Sequence, residues 1–118
     1  MKVLIELDEQ EIVDALVGAF EGGSNYWYYL PDLSMLTKVD GLCISELITL
    51  SALNGDAIIP VHDAENIEDF LGNISRENIE RGVRLYIQEN GELKADEMDA
   101  DDSDVLLQYI VMGEITFG

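Results

Sequence analysis

The densest group of side chains that could do chemistry is an acidic stretch between residues 92 and 104. Its seven carboxylates are Glu92, Asp96, Glu97, Asp99, Asp101, Asp102 and Asp104. Closely spaced carboxylates suit Ca²⁺, which prefers oxygen ligands. The spacing fails for an EF-hand, because a loop counted from Asp99 would need glycine at Asp104 and glutamate at Ile110. We therefore predict no metal site in this stretch.

The same carboxylates admit two other interpretations. If the stretch is helical, Glu97, Asp101 and Asp104 share one face at a spacing of about 5–6 Å, comparable to that of phosphates along a nucleic acid strand. Such a face would bind a basic groove by mimicking a nucleic acid. The simpler interpretation is a helix N-terminus within a solvated loop, because carboxylates there are favourable to the helix dipole. The sequence leaves both interpretations open.

The single histidine and the single cysteine offer little to a catalytic or zinc site. His62 begins the run HDAE, and a zinc site would need further His or Cys ligands that the chain hardly has. We interpret the run as a polar turn after a strand. Cys43 lies between two aliphatic residues, which predicts a small buried thiol. We predict no catalytic residue, cofactor or metal; a metal-dependent hydrolase using carboxylates around His62 and Asp99 is a remote alternative.

Four consecutive aromatic residues, Tyr26 to Tyr29, form a second unusual feature. Single-strand binding proteins stack bases on such side chains, but they do so in basic grooves. This chain has six Lys and Arg residues against 25 Asp and Glu, so we predict no direct nucleic acid binding. The run either packs in the core or forms a protein contact through Tyr26, Trp27 and Tyr28, because Tyr and Trp are typical interface anchors.

A net charge of −19 over 118 residues limits the partners further. Such a surface repels phosphates and anionic lipids and attracts basic proteins. No stretch approaches the roughly 18 apolar residues that span a bilayer, and the first residues do not have the pattern of a signal peptide. A lone cysteine fits a reducing compartment. We therefore expect a cytoplasmic protein with no membrane contact, whose partner is a basic protein or a second copy of itself.

The elements that must position these groups follow from hydrophobic periodicity. We predict one domain, residues 1–118, with an α+β fold in which a small β-sheet packs against about four helices. The predicted elements are a strand at 3–7, a helix from the Asp8 cap to Gly22-Gly23, a helix at 44–53, a strand at 57–61, a strand or short helix at 67–74, a helix from the Ser75 cap to about 89, a helix from about 102 to 112 ended by Gly113, and a tail around Ile115 and Phe117 that pairs with the first strand.

Three segments carry a resemblance to a known group of proteins. They are AFEGGSNYWY at 19–28, HDAE at 62–65, and a last segment made of Asp104, Gln108-Tyr109 and GEITFG at 113–118. Their order and character resemble an uncharacterised family of small acidic proteins encoded by bacteriophages and bacterial mobile elements, over most of the chain. The resemblance implies the cytoplasm of a bacterial host cell and an accessory role. It brings no activity and no catalytic residue.

We therefore expect a non-enzymatic acidic accessory protein that acts through protein–protein contacts, either by self-association or in an accessory complex. The alternative is an acidic nucleic acid mimic that occupies the basic groove of a host nuclease or DNA-binding protein, as anti-restriction and anti-CRISPR proteins do. The residues predicted to contact a partner are Tyr26, Trp27, Tyr28, Glu97, Asp99, Asp101, Asp102 and Asp104.

Overall fold

Four helices and a three-stranded antiparallel sheet form the fold in the computed structural model, which describes residues 8–118. The helices are α1 (Glu9–Gly18), α2 (Ile44–Leu53), α3 (Arg76–Asn90) and α4 (Ala100–Met112), and the strands are β1 (Tyr28–Tyr29), β2 (Ile59–Asp63) and β3 (Phe70–Ile74). This arrangement confirms the predicted α+β class. The strand predicted at 3–7, with its pairing to the tail, lies outside the described residues. Within 8–118, no helix combines the length and the apolar character needed to cross a membrane.

Side-chain caps decide where the helices begin. The Asp8 carboxylate accepts a hydrogen bond from the Glu11 amide, and the Ser75 hydroxyl accepts one from the Asn78 amide, each at 3.2 Å, so both predicted caps are confirmed. Helix α4 begins two residues before the predicted start, because two carboxylates, those of Asp99 and Asp102, each accept from the other's backbone amide.

The chain after α1 continues as one π-helical turn, Ala19–Gly23, and then enters the aromatic segment. The predicted end of the helical stretch at Gly22-Gly23 is confirmed. Gly23 is required there by a close approach between two backbones. A Cβ atom on Gly23 would lie 2.2 Å from the carbonyl oxygen of Ala100, the first residue of α4. The glycine therefore lets the segment that follows α1 begin directly against α4.

The sheet has the order β1-β2-β3 and packs one face against α4, which β3 approaches closely at Gly72. Ile59, Val61 and Ile74 point from that face into the core and are buried. The strand predicted at 57–61 lies two residues further along, so His62 belongs to β2 rather than to a turn. The ambiguous segment at 67–74 contains strand β3. The sheet therefore has an inner face covered by helices and an outer face that they leave free.

Helix α4 is the central element of the core, with most of its residues buried and contacts to α1, α3 and β3. Helix α3 crosses it closely at Gly82, where a Cβ atom would lie 2.6 Å from the backbone nitrogen of Ile110. Two arginines stabilise helix ends: Arg81 Nη2 donates to the Ile110 carbonyl (2.7 Å) and Arg76 Nη1 to the Leu53 carbonyl (2.6 Å). A cation at a helix C-terminus is favourable to the helix dipole.

The predicted buried thiol at Cys43 is wrong, because Cys43 is exposed. It occupies the cap position before α2, where its amide and its thiol both donate to Glu46 Oε1, at 3.2 and 3.1 Å. The next residue, Ile44, is also exposed. Ser45 and Leu47 in the first turn of α2 are buried, so the side of that turn that carries Cys43 and Ile44 faces away from the core.

Because α3 and α4 cross closely at Gly82, we expect replacement of this glycine by the better helix former alanine to destabilise the protein. Alanine normally stabilises a helix by about 1 kcal/mol relative to glycine. We expect Gly82→Ala to lower the free energy of unfolding by about 1–3 kcal/mol instead, because α3 and α4 must separate to admit the Cβ atom. Urea denaturation measures the change. The matched control is Gly22→Ala, where the added Cβ meets no atom within 4 Å; a Gly82→Ala protein as stable as wild type would contradict the close crossing.

Candidate functional site

A buried carboxylate on α4 joins the aromatic segment to the core. Asp104 is 7% exposed. Its Oδ1 accepts hydrogen bonds from Ser24 Oγ and Trp27 Nε1, both at 2.7 Å, and its Oδ2 accepts one from Tyr26 Oη at 2.5 Å. Within residues 8–118, no cation pairs with this carboxylate. Hydrogen bonds from three donors therefore compensate for the removal of its charge from water.

Gln108, one turn after Asp104 on α4, holds the C-terminal tail. Its Oε1 accepts from the amides of Thr116 and Phe117 at 2.8 Å, and its Nε2 donates to the Phe117 carbonyl at 3.0 Å. The Phe117 ring stacks on the Trp27 indole, with centroids 5.3 Å apart and planes 11° apart. Two neighbouring polar side chains on one helix thus bind two segments that are far apart in sequence.

Sequence reasoning did not assign Ser24 or Gln108 to this site. The available signal was the i, i+4 pair of polar residues, Asp104 and Gln108, among the mostly apolar residues of the buried side of α4. A polar residue at a core position must find a hydrogen-bond partner when buried. That argument predicts that a partner exists, but it does not identify the segment that supplies it.

The prediction that Trp27 is an interface anchor is wrong. Its side chain is 1% exposed, so the alternative of core packing is confirmed for this residue. The indole can be buried completely because its only polar group, Nε1, donates to Asp104. Asp104 must likewise be withdrawn as a contact residue, because its carboxylate is buried and its hydrogen bonds are internal.

The other predicted aromatic contacts differ in exposure. Tyr26 is 50% exposed although its hydroxyl reaches Asp104. Tyr28 is only partly exposed; its hydroxyl donates to the Phe20 carbonyl at 2.7 Å and its ring meets the Phe20 ring edge-on. Tyr29, which was not predicted as a contact, is 41% exposed on strand β1. Of the three predicted aromatic residues, Tyr26 therefore presents the most surface.

The acidic face predicted for Glu97, Asp101 and Asp104 does not form. Glu97 belongs to a separate short 3₁₀ turn, Ala95–Glu97, that precedes α4, and Asp104 is buried. Asp99 and Asp102 form the cap of α4, which supports the simpler interpretation of a helix N-terminus for that pair. Asp101 and Glu97 are exposed and remain available to a partner.

An open cleft of about 330 Å³ lies between α4 and the tail, beside the Asp104 cluster. Its lining residues are Tyr26, Asp101, Asp104, Val105, Gln108, Ile115, Phe117 and Gly118. The buried polar groups in this wall, on Asp104 and Gln108, already bond to the chain itself. The lining contains neither a cysteine nor a histidine, so it presents no thiol or imidazole to a substrate.

The described residues give the hydrolase alternative no support. Within 8–118, no three His, Cys, Asp or Glu side chains come together as a group that could hold a metal ion. His62 Nδ1 lies 2.6 Å from the Ile67 carbonyl oxygen. Since a carbonyl oxygen only accepts, the ring nitrogen is the donor. The imidazole thus fixes the turn between β2 and β3.

No family model, curated protein or solved structure matches this chain. The resemblance to a family of phage and mobile-element proteins therefore stays a prediction.

The Asp104 cluster predicts a large difference between two substitutions at one position. Asp104→Ala leaves the buried Ser24 hydroxyl and Trp27 N–H without an acceptor, so we expect a loss of about 3 kcal/mol or more in the free energy of unfolding. Asp104→Asn keeps Oδ1 as an acceptor, and the Tyr26 hydroxyl can turn to accept from the new amide, so about 1 kcal/mol is expected. Denaturant titration followed by Trp27 fluorescence measures both.

The control for these substitutions is Asp101→Ala on the exposed side of the same helix, which should change stability by at most about 0.5 kcal/mol. If Asp104→Ala were no more destabilising than Asp101→Ala, the three hydrogen bonds would contribute nothing to the fold.

The same cluster predicts a loss of stability at alkaline pH. Partial burial of its hydroxyl, together with the hydrogen bond to Asp104 and the charge of that carboxylate, raises the pKa of Tyr26 from 10.0 to about 12. Between these values the unfolded chain releases the proton first, so the contribution of this group is complete below about pH 10 and is lost as the pH rises through about 12.

Phenolate absorbance measures this titration. Burial also raises the pKa of Tyr28 and Tyr86, so the difference between wild type and Tyr26→Phe isolates the Tyr26 component. A component that titrates near the ordinary tyrosine value would contradict the hydrogen bond to Asp104.

Proposed function

We propose that this protein is a non-enzymatic acidic accessory protein that acts by binding a basic protein. The observation that carries the proposal is that its negative charge is on the surface and unpaired. The chain has 25 Asp and Glu residues. Within residues 8–118, Asp104 is the one buried carboxylate, and the ion pairs are two: Arg76 with Glu80 and Lys94 with Glu92. Such a surface steers basic proteins toward it over a distance set by the salt concentration.

Two of the few cations of the chain are directed to backbone carbonyls. Arg76 and Arg81 direct their guanidinium groups to the carbonyls at the C-terminal ends of α2 and α4. A second copy would bring another net charge of −19 to a chain that has six Lys and Arg residues. High net charge of one sign keeps proteins apart. An accessory complex with a basic protein is therefore favoured over self-association.

The proposal includes the bacterial or phage cytoplasmic setting, which rests on the sequence resemblance alone. The proposal does not include mimicry of a nucleic acid, in which carboxylates would imitate the phosphates along a strand. Mimicry would need a regular line of exposed carboxylates, and the line predicted through Glu97, Asp101 and Asp104 is interrupted by the burial of Asp104. We propose instead that the charge attracts the partner and that a separate surface binds it.

Salt dependence tests the proposal. We expect tagged protein incubated with bacterial lysate to recover basic proteins at low ionic strength. We expect it to lose them at about 1 M salt, where the Debye length falls to about 3 Å. Light scattering at both salt concentrations should give the mass of one chain. The control bait is an unrelated folded protein of similar net charge. Proteins that both baits recover are bound by charge alone and are discounted.

Two results would contradict the proposal. Recovery of the same proteins in equal amount at both salt concentrations would exclude attraction by charge. A dimer or larger oligomer that persists at both, with nothing else recovered, would establish self-association instead.

A further inference from the structure

We infer that the outer face of the β-sheet is a docking surface for an arginine-bearing segment of the basic partner. This inference rests on the proposed function and names the surface and the chemistry it recognises. Its centre is a row of three side chains on neighbouring strands, Tyr29, His62 and Phe70, called the outer row below. In the antiparallel register Tyr29 lies opposite His62, and His62 lies opposite Phe70.

The outer row projects away from the helices. Along β2, Ile59 and Val61 are buried on the inner face, so the alternation of a strand places His62 on the other side. Residues directly opposite on adjacent strands share a face. The register shifts between Val61 and His62, so Phe70 lies opposite His62 although plain alternation from Ile74 would place it on the inner face. The His62 and Phe70 rings meet edge-on, with centroids 5.8 Å apart. Phe70 is 57% exposed, so the row is a surface feature rather than part of the core.

The outer row is unusual for a face that no helix covers. An antiparallel sheet with one solvated face normally carries polar residues there. Here the aromatic row is accompanied by exposed Ile67, whose carbonyl is bonded to His62, and by exposed Ile58, which immediately precedes β2. Contiguous exposed apolar surface is typical of interaction sites.

The surroundings of the outer row determine the partner's chemistry. Four carboxylates lie at the end of β2 and in the turn to β3: Asp63, Glu65, Glu68 and Asp69. No Lys or Arg occurs in the sequence between Lys38 and Arg76, so β2, β3 and their turn contain no cation. A second copy placed on this face would bring its own four carboxylates to the same region. Charge complementarity therefore favours a basic segment.

Arginine fits this surface better than lysine does. A guanidinium group is planar, stacks on aromatic rings and donates two parallel hydrogen bonds to a carboxylate. The outer row offers aromatic faces and the adjacent turn offers carboxylates. Lysine would gain the charge attraction but would lose the stacking and the paired hydrogen bonds.

Nuclear magnetic resonance titration of the full chain tests the inference with three peptides of equal length. The probes are an Arg-Ser repeat, a Lys-Ser repeat and a citrulline-Ser repeat, in which the guanidinium is replaced by a neutral group of similar shape. We expect the largest amide shifts at and around the outer row, with the Arg-Ser peptide bound about threefold tighter than the Lys-Ser peptide and the neutral peptide unbound.

Two substitutions of equally exposed apolar residues complete the test. Phe70→Ala should weaken binding of the Arg-Ser peptide by about threefold. Ile115→Ala removes a side chain of similar exposure, 53%, from the tail bound to α4, and should leave the affinity unchanged. The amide spectra of both variants report whether the fold is retained. The position of the shifted amides in the wild-type protein tests the inference even if a variant does not fold.

The inference and the proposed function fail in different ways. Shifts centred on residues 96–102, or equal binding of the Arg and Lys peptides with no effect of Phe70→Ala, would overturn the sheet face while leaving a basic partner in place. Absence of binding by both cationic peptides, together with a lysate experiment that recovers no basic protein, would overturn both. A dimer that Phe70→Ala dissociates would show that the outer row binds a second copy.

Discussion

The structure depends on the burial of one carboxylate that pairs with no cation among residues 8–118. Asp104 lies on the helix at the centre of the core, where an unpaired charge would be strongly destabilising. Three donors remove that cost, and all three come from one short segment, residues 24–27. The requirement to satisfy Asp104 therefore fixes the path of the chain between α1 and β1. Gly23 makes the same path sterically feasible where it meets the start of α4.

This constraint divides the four consecutive aromatic residues into different roles. Trp27 turns inward because its N–H must reach Asp104, and Phe117 of the tail then stacks on it. Tyr28 fills the space beside Phe20, whereas Tyr29 lies on the free face of the sheet. A run that reads as one hydrophobic unit in the sequence thus contributes both to the core and to the surface. Among the exposed large apolar residues, Tyr29 and Phe70 lie on strands of the sheet, away from the buried Trp27.

Charge and apolar surface have separate parts in the proposed interaction. The unpaired carboxylates supply long-range attraction and a salt-dependent encounter, but attraction by itself does not select one partner. The outer row adds short-range contact of defined shape, with carboxylates beside it on the same turn. Because the fold is held by apolar packing and internal hydrogen bonds, with few ion pairs among residues 8–118, the surface charge remains available for binding.

The sequence by itself determined the α+β class, the bounds of α2, the caps at Asp8 and Ser75 and the end of α4 at Gly113. These depend on local periodicity and on side chains that bond within three residues of their own position. Only the tertiary structure decided that Trp27 is buried, that Cys43 is exposed and that Asp104 belongs to the core rather than to an acidic face. The burial of Trp27 and of Asp104 depends on hydrogen bonds between segments tens of residues apart, such as the bond from Ser24 to Asp104, and the exposure of Cys43 depends on how α2 is oriented against the core. Local pattern shows which residues are apolar or charged, but the packing of distant segments decides which of them water can reach.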